Sequence, residues 1–149
     1  MLSRFFWGKK RLRDQMVRNV VIQICGVLDH VPGFMPNSLT SNEYFIGYIM
    51  GTGKMIGQIS GYSKPIERMD ISRMIMVGIF GTSINASEIL VNAFGKNKEG
   101  RVLELAAEHA GLDFSEFFIQ LEKDRKNGKP IEQLDAGLLR LREHIHIVR

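Results

Sequence analysis

"GYIMGTGKMIGQISG", residues 47–61, carries five glycines in fifteen positions around one lysine, and its interpretation decides the fold. If the glycines cradle a phosphate, the chain is a nucleotide-binding enzyme built on a strand–loop–helix unit. If they line a helix, the chain is a bundle in which another helix lies against bare backbone. A phosphate loop of the Walker type runs Gly, four residues, Gly-Lys, then Ser or Thr, because the hydroxyl ligates magnesium. Here Gly53-Lys54 is followed by Met55, and Tyr48 stands where the first glycine belongs. A dinucleotide fingerprint on Gly51 and Gly53 needs its third glycine at position 56, which is Ile56. The next glycine is Gly57, and no alternating strand–helix context surrounds it.

The helical alternative accounts for the same residues. Phe45, Ile49, Thr52, Ile56 and Ile59 recur at steps of four and three, while Glu43, Lys54 and Gln58 gather on a polar side. Gly53, Gly57 and Gly61 recur every four residues and form a shallow groove beside the apolar face. An interior glycine costs a helix about 0.5–1 kcal/mol relative to alanine, so several together imply a close neighbour. Thr40 and Glu43 have the spacing of a capping box. The stretch therefore predicts a Gly-rich, closely packed helix at about 41–60, with Gly53, Gly57 and Gly61 as its packing positions.

Helical periodicity extends in both directions. Leu12, Met16, Val20, Ile24 and Val27 or Leu28 step by three and four up to the Pro32-Gly33 break. After "GYSKP" at 61–65, residues 71–81 are apolar on both faces. A buried helix and a buried strand both fit them, and the lack of any strand partner favours helix, with Asp70 as its cap. Asn85 or Ser87 opens a short helix that Gly95 stops, and 98–110 forms another ahead of Gly111. Asp113 and Glu116 repeat the capping-box spacing before Phe114, Phe117, Phe118 and Leu121. From Pro130, Ile131, Leu134, Leu138, Leu141 and Ile145 mark a last helix. The expected fold is all-α: a single-domain bundle of six or seven helices over 14–149, preceded by an arm at 1–13.

That arm holds the charge. Residues 1–30 carry six cations against Asp14 and Asp29, whereas 31–95 and 96–149 are each balanced, so the formal +4 of the chain is N-terminal. Phe5, Phe6 and Trp7 precede Lys9, Lys10, Arg11 and Arg13, a combination suited to an acidic protein surface, an anionic membrane surface or a nucleic-acid backbone. Those seven are the candidate interaction residues. Arg18, Asn19 and Gln23 interrupt the apolar run that follows, so it is neither a signal peptide nor a membrane span. Cys25, the only cysteine, sits among Ile24, Val27 and Leu28 and reads as an inert thiol in a reducing compartment, hence the cytoplasm.

Catalytic signatures are missing. There is no Gly-x-Ser-x-Gly elbow and no His-Glu-x-x-His helix. His144 and His146 lack further zinc ligands, His30 stands alone, and His109 falls off its apolar stripe and is expected in solvent. No carboxylate pair marks an acid–base couple, and no cofactor is expected. Residues 98–126 have the outline of a helix-turn-helix, with Ala107 and Gly111 permitting a tight corner. Its second helix would offer Asp113, Glu116 and three phenylalanines to DNA, which suits a corner inside a bundle better than base reading. The functional expectation is a non-catalytic interaction protein, an adaptor, inhibitor or regulator that contacts a protein partner, with self-association open. The alternative is a small DNA-binding regulator using 98–126 and the basic arm.

Overall fold

A computed structural model describes residues 2–28, 39–82, 84–96, 101–128 and 137–145, without the side chains of 2–7, 94, 96 and 125. The fold is an all-α bundle. Six helices follow one another: α1 (Leu2–Leu28), α2 (Glu43–Ser60), α3 (Pro65–Phe80), α4 (Ala86–Lys96), α5 (Arg101–Lys126) and α6 (Leu139–His144). No strand occurs among the described residues, and 71–81 lies in α3 and its C-cap.

α2 is the centre, and its glycines explain why. Gly47 and Gly51 face α5 so closely that a Cβ on Gly47 would stand 2.8 Å from Leu103 Cα and 3.1 Å from Ala106 Cβ. A Cβ on Gly51 would collide with the backbone of Ala107. Gly53 and Gly57 serve the other side, where a Cβ on Gly53 would strike Ser72 of α3, and one on Gly57 would meet Tyr62 O and Arg68 Cγ. Helical geometry puts Gly51 and Gly53 about 200° apart, so one helix carries two bare ridges on nearly opposite faces. Dispersion contacts accumulate where backbones approach this closely, which offsets the propensity cost of four glycines.

Gly61 has a different role. It lies past the end of α2 as the C-cap, at φ 90°, and its N–H donates to Gly57 O at 2.9 Å. Its neighbour is the flexible Lys9 side chain of α1 rather than the backbone of a packed helix, so it is a left-handed stop and not a packing position. The start of α2 also differs from the Thr40 box. Asn42 is the N-cap, its Oδ1 accepting from Phe45 N at 2.9 Å, while Thr40 stays in the preceding turn.

α3 begins earlier than its apolar run suggests. Pro65 occupies the first turn and Glu67 accepts from Lys64 N at 3.2 Å, so Asp70 falls inside the helix and pairs with Arg73 at 2.9 Å instead of capping. Its two apolar faces follow from its neighbours: it packs against α1, α2 and α4. Gly78 admits Val21 of α1, whose Cγ2 would lie 2.6 Å from an added Cβ. In α4, Asn85 Oδ1 caps Glu88 N at 3.1 Å, and the helix continues through Gly95 to Lys96.

The largest departure is α5. Residues 101–126 form one unbroken helix, so the proposed corner at Gly111, and with it the helix-turn-helix unit at 98–126, does not exist. Gly111 is helical, and Asp113 is buried in mid-helix with its carboxylate engaged elsewhere. Phe114 is buried beside Tyr48, and Phe117 and Phe118 are buried against Phe114. Only Leu139–His144 of the last expected helix is described as helical, and Ile131 and Leu134 lie outside the described residues.

Candidate functional site

The stretch expected to be an arm is helical from Leu2 and continuous with the body of α1. Leu12, Met16, Val20, Ile24 and Leu28 face the core, which turns the charged positions of the same helix two ways. Lys9 and Arg13 turn inward onto Tyr62, with Lys9 Nζ 4.1 Å and Arg13 Cζ 4.9 Å from the ring centroid. Each such cation–π contact contributes about 0.5–1 kcal/mol near the surface, so these two cations fasten α1 to the chain leaving α2. Lys10, Arg11 and Arg18 turn outward, exposed, and line a shallow depression with Asp14 and Gln15. Asp14 is taken by Arg13 at 2.9 Å, and Lys10, Arg11 and Arg18 make no ion pair among the described residues. The structure thus divides the candidate interaction set and adds Arg18 to its outward half. The side chains of Phe5, Phe6 and Trp7 lie outside the described residues.

A second cluster, where α2, α5 and α6 meet, escaped the sequence pattern. Asp113 of α5 accepts from Tyr48 Oη at 2.8 Å, Arg140 N at 3.2 Å, Arg140 Nη1 at 3.1 Å and Leu141 N at 3.1 Å. Arg140 N and Leu141 N are among the unpaired donors at the start of α6, so Asp113 caps a helix 27 residues away. The local N-cap position cannot do so: Leu138 is a buried leucine in the left-handed region, at φ 42° and ψ 52°, with no side-chain cap bond. Such a backbone costs about 1–2 kcal/mol for a residue with a Cβ. Burial of Leu138 and the Asp113 bonds hold it there.

Around this capped end lie Tyr44, His109 and His144. Tyr44 Oη is 2.7 Å from His109 Nδ1 and stacks its ring on His144 at 4.7 Å between centroids. The two imidazoles are 4.8 Å apart, centroid to centroid. His144 Nδ1 lies 2.9 Å from Arg140 O, and a carbonyl only accepts, so that nitrogen carries the proton. Burial, then the charges of Asp113 and Glu143 against that of Arg140, pushes the Tyr44 hydroxyl up to about 12. Burial and Asp113 push Tyr48 still higher. Both phenols are therefore fully protonated at neutral pH, donors rather than nucleophiles. Asp113 is committed to four donors and is not free to act as a base. The cluster is a latch that positions α6.

Lys54, the lysine of the glycine-rich stretch, is exposed in a groove between α2 and α5 shared with Glu104 and Glu108. Two carboxylates beside the cation oppose phosphate binding there. Among the described residues no group of three or more His, Cys, Asp or Glu side chains is arranged to hold a metal ion, and no helix is long and apolar enough to cross a membrane. The chain matches no family model, no curated protein and no solved structure.

Proposed function

We propose that this is a non-catalytic protein of the cytoplasm that works by contacting another protein, as an adaptor, inhibitor or regulator, and that it docks through the outward face of α1. The observation behind it is the exposed trio Lys10, Arg11 and Arg18, with Asp14, the carboxylate that shares their depression among the described residues, neutralised by Arg13. These side chains sit on the part of the chain that carries its whole net charge, so they set the sign of the field an approaching partner meets. An acidic protein surface is the complementary partner. Cys25 supports the reducing compartment: it is buried, and burial pushes its thiol up, away from the reactive thiolate.

The test compares wild type with a triple charge reversal, Lys10→Glu/Arg11→Glu/Arg18→Glu, at exposed positions where folding is retained. Proteins captured from native extract by wild type and lost by the reversal are purified and bound directly across a salt series. The expected result is an acidic protein whose affinity falls with both salt and reversal. Vesicles rich in phosphatidylserine and a duplex DNA are titrated alongside. Tight binding to either of those, or capture of the same proteins by the reversed variant, rejects the proposal.

A further inference from the structure

α6 is too short to stand by itself. It has six residues, of which only Leu141 is buried, whereas an isolated helix needs about 12–15 residues to be even marginally stable in water. It is held from outside. Leu138 and Ile145 are buried on either side of it, and Asp113 of α5 accepts from Arg140 N and Leu141 N. Against these stands the left-handed backbone of Leu138, at φ 42°, a strain that is released when the segment lets go. Few buried side chains beside a strained hinge mark an element that opens before the rest of its fold.

What α6 covers is polar. The Asp113 side chain is 1% exposed, and three of its four donors, Arg140 N, Arg140 Nη1 and Leu141 N, belong to α6. If α6 lifts, those three leave together and Tyr48 Oη alone remains on the carboxylate. The floor left on α2 and α5 is then a carboxylate beside Tyr48, with Tyr44 and His109 next to it and the ring of Phe114 against Tyr48. The chemistry that suits this floor is the chemistry seated on it: a guanidinium, two successive backbone N–H groups from a first helical turn, and an apolar side chain in the place of Leu141. We propose that α6 is a displaceable strap that opens without the rest of the bundle, and that the floor beneath it receives the first turn of a helix from another protein, with an arginine where Arg140 lies and an apolar residue after it. α6 is an internal competitor for that helix, so the affinity of the partner is scaled by the fraction of chains in which the strap is open. The site lies on α2 and α5 and does not depend on the cationic face of α1.

Hydrogen exchange of the full wild-type chain measures the opening. The amides of Arg140, Leu141, Arg142 and Ile145 are expected to exchange at least about a hundredfold faster than those of Ile49, Ile56 and Ala110, and with a weaker dependence on urea, because little surface is uncovered. Exchange of α6 in step with the core, at the same rate and urea dependence, overturns the proposal. For the site itself, Leu141→Asp sets a second carboxylate beside Asp113 and holds the strap off. The probe is a synthetic peptide that begins with residues 137–144 and continues in alanine and glutamine, so that it is helical before it binds. It is expected to bind the Leu141→Asp chain saturably, wild type at least about tenfold more weakly, and a chain carrying Leu141→Asp with Asp113→Ala not at all. The same peptide with Arg140→Ala should lose about tenfold or more. No binding to the Leu141→Asp chain, or binding indifferent to Asp113 or to the arginine, rejects the site. A Leu141→Asp chain that loses the helicity of the whole bundle rejects the strap.

Discussion

Gly51→Ala adds one methyl group where the backbones of α2 and α5 touch. In an ordinary helix interior this substitution stabilises by about 0.5–1 kcal/mol, because alanine gives up less backbone freedom. At Gly51 the new Cβ falls onto Ala107, overlapping its Cα and lying 2.8 Å from its carbonyl oxygen. Backbone cannot rotate aside as a side-chain tip can, so α5 has to move off α2. Overpacking of this kind costs about 1–3 kcal/mol, and the shift also loosens the seam at Gly47 and Leu103. The net expectation is destabilisation by about 1–2 kcal/mol. Gly26→Ala is the control, since a Cβ there meets nothing within 4 Å, and it should stabilise by the ordinary amount. Gly111→Ala belongs with the control: its nearest neighbour is Met55 Cε at 4.0 Å, and a helical position inside α5 gains from alanine where a left-handed turn would lose. Urea unfolding of the three variants reads the differences directly as shifts in midpoint at constant slope. If Gly51→Ala stabilised the fold as much as Gly26→Ala, α2 and α5 would not be in backbone contact and the bundle described above would be wrong.

Two further outcomes follow from the polar latch. Asp113→Ala leaves buried Tyr48 Oη and two amides of α6 without an acceptor and should cost about 3 kcal/mol; adding Tyr48→Phe should recover part of that loss, a coupling read by a double-mutant cycle in urea. Tyr44 titrates near the usual 10 when unfolded and at about 12 when folded, so the native state holds its proton longer and stability falls as pH rises between those values. Tyr44→Phe should flatten that alkaline decline, and an unchanged pH profile of unfolding would reject the shifted phenol.

The helical class was legible because it is a local property: steps of three and four survive in any window, and Leu12 through Leu28 could be placed on one face without knowing what lay opposite. The same periodicity exposed only half of the glycine pattern. Gly53 and Gly57 were found as a four-residue ridge beside the apolar face, whereas Gly47 and Gly51 are an equally regular ridge on the far side. Two ridges on one helix say that it is central, which could have been drawn from spacing alone. Other features were not local. Gly111 followed by Asp113 and Glu116 has every mark of a turn and a cap, yet Asp113 satisfies a helix 27 residues on, and α5 runs through unbroken. Nothing near His109 in sequence announces Tyr44, 65 positions earlier, so a histidine off its own stripe looked solvated when it is half-buried in a latch. Here local pattern assigns the helices, while long-range polar contacts decide where α6 begins.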